Sequence, residues 1–304
     1  MIINNSNTHW VFVCGINSEK DNPLRHVMDI FFALNVLKRK GICSSHISVL
    51  IDPVADHLLL ELPDQLPFDQ VNKYSVSEFN QVVNSKPLEN LVITVLGHGS
   101  PQGIDANYEL KPSHLVNAIY SVDSIKGCVV IFGQCYSGIY NYINLMGNDT
   151  QGVETKVPSI CFIGASGLNS SLSSTVSIRL SDNPLSWVAN MFLCWFFLWI
   201  ENNSGVQRDV DGDDKETLAD AYKFAGANTS YFLLNEVKAN IALELYSKQQ
   251  ELVEKQRQIV RSPDADLEIE GLKLQIKSLV SINHTVQDPW ILNANKAREI
   301  VFDL

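Results

Sequence analysis

Five short apolar runs punctuate the first half of this chain, at Trp10 to Cys14, Ile47 to Ile51, Leu91 to Leu96, Cys128 to Phe132 and Ile160 to Ile163. Each has the length of a strand and none alternates with polar residues, the pattern of strands whose sheet is covered on both faces. Between them lie helical patterns, with Leu24, Val27, Met28, Phe31, Leu34 and Leu37 in one and Ser113 to Ser121 in another. Strands alternating with helices predict an α/β fold around a mostly parallel sheet. Gly41 follows the basic stretch Lys38-Arg39-Lys40 and is expected to end the first helix in the left-handed conformation.

With 304 residues, 45% of them hydrophobic, the chain can build one large core and carry an appendage. Beyond Tyr231 the composition becomes charged and helix-favouring, with apolar positions Val237, Ile241 and Leu245 and later Leu267, Leu272, Ile276 and Leu279. The break Ser262-Pro263-Asp264 divides two helices. The expected organisation is a main domain over 1–234, a helical hairpin over 235–286 and a segment, 287–304, that returns to the main domain. The apolar segment Trp187 to Ile200 is shorter than the roughly 20 residues that span a bilayer, so a buried helix is expected there.

Charge and cysteine usage narrow the function. A formal net charge of -11, with no cluster of Lys and Arg, argues against a nucleic-acid partner. The polar stretch Met1 to Thr8 runs straight into the first apolar run without the pattern of a secretory leader. Six cysteines, at positions 14, 43, 128, 135, 161 and 194, lack metal-type pair spacing, and several sit inside apolar runs. Reduced thiols in a cytoplasmic protein with no membrane partner are the expectation.

Two loops carry chemistry. The run Leu91 to Leu96 ends in Gly97-His98-Gly99-Ser100, and the run Cys128 to Phe132 ends in Gly133-Gln134-Cys135-Tyr136-Ser137-Gly138. In a parallel sheet the carboxyl ends of the strands share one edge, where ligands bind, so His98 and Cys135 are expected to meet. A thiol with a pKa of ~8.5 is mostly protonated at neutral pH, and a neighbouring imidazole can take its proton. The backbone N–H groups of Gly99 and Cys135 are candidates for holding an oxyanion.

A hydrophobic block ending in His-Gly and a second ending in Cys resemble the caspase-like cysteine peptidases, and the legumain branch is the nearer one. Cys135-Tyr136-Ser137-Gly138 is similar to that branch's Cys-Glu-Ser-Gly, Gly164-Ala165-Ser166 to its Thr-Ala-Ser, and Leu24-Arg25-His26 to its Tyr-Arg-His. The resemblance runs from Trp10 to about Asn190. It implies a caspase-like three-layer sandwich and a cysteine endopeptidase acting on protein or peptide substrates, with His98 and Cys135 catalytic. It further implies that Arg25, His26, Ser166 and Asp182 line the pocket for the residue before the cut. Gly133-Gln134 stands where legumains have Glu-Ala, so Asn, Asp or a basic residue all remain open as that preference. Family members commonly serve in cell death or defence, under control by processing or by a partner, and the helical hairpin is a candidate docking element for such a partner.

Asp209, Asp211, Asp213 and Asp220 fall at the first, third, fifth and twelfth positions of an EF-hand-like loop, which leaves room for calcium, although the chemistry itself requires no cofactor. The competing reading makes Thr217 a helix N-cap with Asp220 reaching back to it. Two other functions stay open. One is an α/β-hydrolase-like esterase, with Cys135 on a nucleophile elbow and His284 as its base. The other is a non-catalytic interaction protein built on the same domain.

Overall fold

The computed structural model describes residues 1–16, 23–52, 71–108, 110–143, 145, 158–179, 184–202, 207–257, 263–284 and 286–304. The chain divides into one unit of Met1–Asn228 with Asp288–Leu304 and a second of Thr229–Gln287. The first break precedes the expected residue 235, and helix continues across it.

In the first unit the chain runs through β1 (Ile2–Asn4), β2 (Thr8–Gly15), α1 (Leu24–Arg39), β3 (Ile47–Ile51), β4 (Asn72–Tyr74), α2 (Phe79–Val83) and β5 (Asn90–Gly97). A small hairpin, β6 (Gly99–Ser100) and β7 (Gly103–Ile104), is followed by α3 (Pro112–Tyr120), β8 (Gly127–Phe132) and β9 (Ser159–Gly164). A longer hairpin, β10 (Ser173–Arg179) and β11 (Pro184–Asn190), leads into α4 (Met191–Glu201) and α5 (Leu218–Phe232). The second unit contains α6 (Ala239–Arg257) and α7 (Pro263–Asn283), and the return segment forms β12 (Trp290–Leu292), α8 (Ala294–Ala297) and β13 (Val301–Asp303).

All five apolar runs are strands of one seven-stranded sheet, ordered β12-β9-β8-β5-β2-β3-β4 among the described residues. Every pairing in it is parallel except that of β12 with β9. The absence of polar alternation has the expected cause, because β2, β3, β5 and β8 are buried along their whole length. On one face Trp10, Phe12 and Val129 pack with α1, α4 and α5; on the other Val11, Ile93 and Val130 pack with α2 and α3. A charge at Val130, which is fully buried, would sit unpaired in the core, a mechanism that places a substitution among the severely destabilising ones.

Helix ends follow local chemistry. Gly41 takes φ 75°, and the amides of Gly41 and Ile42 bond back to Lys38 and Leu37, closing α1 with the predicted cap. The apolar segment Trp187 to Ile200 is mostly buried but only partly helical. Its first four residues belong to β11, and Asn190 caps α4 by accepting from the Leu193 amide at 3.0 Å. No helix among the described residues is long and apolar enough to cross a membrane.

In the second unit a π-helical turn, Leu233–Lys238, precedes α6, and α6 packs against α7 with Lys255 paired to Glu268.

Candidate active site

Parallel pairing sends the carboxyl ends of β2, β5, β8 and β9 to one edge, with Gly15 beside Gly97, Val95 beside Phe132, and Phe132 beside Gly164. His98 leaves β5 at this edge, its amide held by the Gly15 carbonyl at 2.9 Å. Cys135 leaves the neighbouring β8, after the Gly133 amide has bonded to the Val95 carbonyl at 2.9 Å. The two loops touch through Gly99: a Cβ there would overlap the carbonyl oxygen of Cys135, so only glycine permits the approach.

The turn that follows the cysteine is strained. Tyr136 adopts φ 56°, ψ 21°, a left-handed conformation uncommon outside glycine, and a short 3₁₀ turn begins directly after it. The surroundings hold that turn firmly. The Tyr136 amide donates to the Asn169 carbonyl at 2.8 Å, and the Ser137 hydroxyl donates to the Ser166 carbonyl at 2.8 Å. Trp290, on β12, adds its indole N–H to the same Ser166 carbonyl at 2.9 Å.

Cys135 is partly exposed, and its sulfur accepts the Ser171 amide at 3.4 Å. No disulfide ties it, and Cys14, Cys128, Cys161 and Cys194 are buried. Burial pushes the thiols of Cys14, Cys128, Cys161 and Cys194 upward, which suits inert core residues. Cys43 is exposed but precedes β3, at the opposite edge of the sheet.

His98 meets His26 edge to face, with ring centroids 5.1 Å apart. The Nε2 atoms of both rings are buried and have no hydrogen-bond partner among the described residues. Burial, followed by the nearby Arg25 and His98, lowers the pKa of His26 to about 3, so its ring is neutral at ordinary pH.

The residues expected to line the pocket separate into different roles. Arg25, on the first turn of α1, donates from Nη1 to the Ser173 hydroxyl at 3.2 Å. His26 lies against His98, as described. Ser166 is fully buried and its hydroxyl donates to the Gln134 carbonyl at 3.3 Å, bracing the backbone just before Cys135. Asp182 lies outside the described residues.

Sequence reasoning passed over a buried polar network behind the site. Asp29, one turn along α1 from His26, accepts the Trp187 indole N–H at 2.8 Å and the Asn190 amide at 3.1 Å. Burial outweighs these hydrogen bonds and raises its carboxyl pKa to about 7. The Asn190 carboxamide in turn donates to the Gly133 carbonyl at 2.6 Å and to the Ser171 hydroxyl at 2.9 Å. The one legible signal was a charged residue on an otherwise apolar helix face, at Asp29.

Of the four carboxylates expected in the acidic loop, the structure groups three. Carboxylate oxygens of Asp209, Asp211 and Asp213 lie within 4.8 Å of one another. Asp209, however, already accepts the amides of Gly212, Asp213 and Asp214, and Asp211 pairs with Lys223 at 2.7 Å. Asp220 is not one of these three. It is fully buried and takes the Val210 amide, the Thr217 amide and the Thr217 hydroxyl, which is the capping arrangement at the start of α5.

His284, the base that the esterase reading requires, belongs to the second unit. A scan against protein-family models and a search of curated proteins both found no match to this chain.

Proposed function

We propose that this chain is a cysteine endopeptidase of the caspase and legumain type, with Cys135 as nucleophile and His98 as its proton carrier. The observation that carries the reading is the meeting of two glycine-flanked loops at adjacent strand ends. There a partly exposed thiol receives a backbone N–H, and a histidine keeps a buried Nε2 without a partner. The α/β sheet with helices on both faces agrees with a caspase-like sandwich.

In the reaction the Cys135 thiolate attacks the peptide carbonyl carbon, and the oxyanion is held by the N–H groups of Gly99 and Cys135. The C–N bond then breaks, with the leaving amine taking a proton from the His98 imidazolium and a thioester remaining on Cys135. Water, giving its proton to His98, attacks the thioester carbonyl; the C–S bond breaks, the peptide leaves as its carboxylic acid, and the sulfur is again free to take up the proton from His98. Among the described residues β10 pairs only with β11, which leaves its outer edge to receive an extended peptide as a further strand.

The reading is tested with peptidyl acyloxymethyl ketones carrying Asn, Asp or Lys next to the reactive group. One of the series should label wild type at Cys135, should fail on Cys135→Ala and should react weakly with His98→Ala. Labelling that ignores His98, or that falls on Cys43, would contradict it.

A further inference from the structure

The carboxamide of Asn190 is fully engaged, and its bonds converge on the nucleophile from two directions. Nδ2 donates to the Gly133 carbonyl at 2.6 Å, two residues before Cys135 in the chain, and to the Ser171 hydroxyl at 2.9 Å. Ser171 is the residue whose own amide points at the Cys135 sulfur, at 3.4 Å. One planar group therefore spaces the strand end that bears the thiol from the N–H that faces it.

Asn190 is itself anchored at three further points. Its amide donates to the Asp29 carboxylate, its Oδ1 accepts the Leu193 amide, and the adjoining Met191 amide bonds to the Leu172 carbonyl at 3.1 Å. Asp29 shares α1 with His26, which packs on His98. The same helix thus reaches both members of the dyad, one through a ring contact and the other through Asn190.

We propose that Asn190 is a positioning residue for Cys135: by holding the Gly133 carbonyl and the Ser171 hydroxyl together it keeps the Ser171 N–H on the sulfur. A hydrogen bond donated to sulfur favours the thiolate over the thiol, so the clamp raises the fraction of nucleophile that is ready to react. The inference rests on the reading of Cys135 as nucleophile.

Asn190 also caps α4, and the test must separate the two roles. Serine caps a helix about as well as asparagine but is too short to reach the Gly133 carbonyl, so Asn190→Ser keeps the cap and loses the clamp. Ser171→Gly keeps the amide and deletes the hydroxyl that Asn190 holds. Alkylation by iodoacetamide is followed from pH 5 to pH 10, with mass spectrometry of the peptide containing Cys135 so that Cys43 does not intrude.

Both variants should move the alkylation profile of Cys135 to higher pH and slow the reaction at pH 7 by about fivefold, while thermal melting shows each still folded. Profiles that superimpose on wild type in folded Asn190→Ser and Ser171→Gly overturn the proposal and leave Asn190 a helix cap only. If Asn190→Ser fails to fold, Ser171→Gly decides alone. Alkylation needs no substrate, so a wild type that cuts no peptide contradicts the peptidase reading without touching this result.

Discussion

His26 meets His98 edge-on, with ring centroids 5.1 Å apart and planes at 82°. Because burial keeps His26 neutral, in the proposed reaction it acts on His98 through ring contact and not through charge. His26→Ala should lower kcat by about tenfold with little change in KM, whereas His26→Phe, which keeps a ring, should stay within about threefold of wild type. Steady-state rates on a peptide substrate measure both, and equal rates in the two variants would remove the positioning role.

Arg25 stands one residue earlier on α1 and donates to Ser173 at the start of β10. Its guanidinium is the fixed positive charge beside the proposed peptide-binding edge. Arg25→Met should raise KM by about tenfold or more for peptides with Asn or Asp before the cut and leave kcat nearly unchanged. A basic residue at that position should lose nothing, and competition between peptides shows which pattern holds.

Buried titratable groups set the pH dependence of stability. Burial lowers His9 and His26 from 6.5 to about 3, so below pH 6.5 the unfolded chain binds protons that the folded one refuses. Stability therefore falls as pH drops from 6.5 towards 3. Asp29 acts in the opposite sense: its pKa is raised from 3.8 to about 7, so its contribution falls as pH rises through that window. Melting temperatures between pH 4.5 and 7.5 should decline on the acid side. His9→Gln, which retains a partner for the Ser48 hydroxyl, should flatten that decline, and a slope identical to wild type would contradict the assignment.

The Asp220 carboxylate closes the start of α5 from a fully buried position. Asp220→Ala leaves the Thr217 and Val210 amides without their acceptor and should cost about 1–3 kcal/mol in urea unfolding. The loss should be the same with and without calcium. Rescue by calcium would instead make the acidic loop a cation site.

The sheet and the two strand-end loops bearing His98 and Cys135 were legible because each depends on a local pattern. Unbroken apolar runs such as Leu91 to Leu96 require cover on both faces, and glycine beside His98 requires a tight strand-end turn. The β10–β11 hairpin was not read, since Ser173 to Arg179 is polar and half-exposed, although Asp182-Asn183-Pro184 is turn chemistry in the sequence. Asn190, Ser171 and Trp290 were also missed, because their importance lies in partners 57, 36 and 124 positions away, at Gly133, Cys135 and Ser166. The apolar segment from Trp187 concealed a boundary: hydrophobicity alone does not distinguish a buried strand end from a buried helix, and the cap at Asn190 does.

In the proposed reaction Cys135 and His98 together cut peptide bonds. Its most direct test is mass-spectrometric mapping of new N-termini in a protein mixture incubated with wild type, Cys135→Ala, His98→Ala and His284→Ala. Cuts made by wild type and His284→Ala, absent with the other two and sharing one residue type before the bond, are the predicted result. Cuts that persist in His98→Ala but vanish in His284→Ala would contradict the account and return the chain to the esterase-like reading.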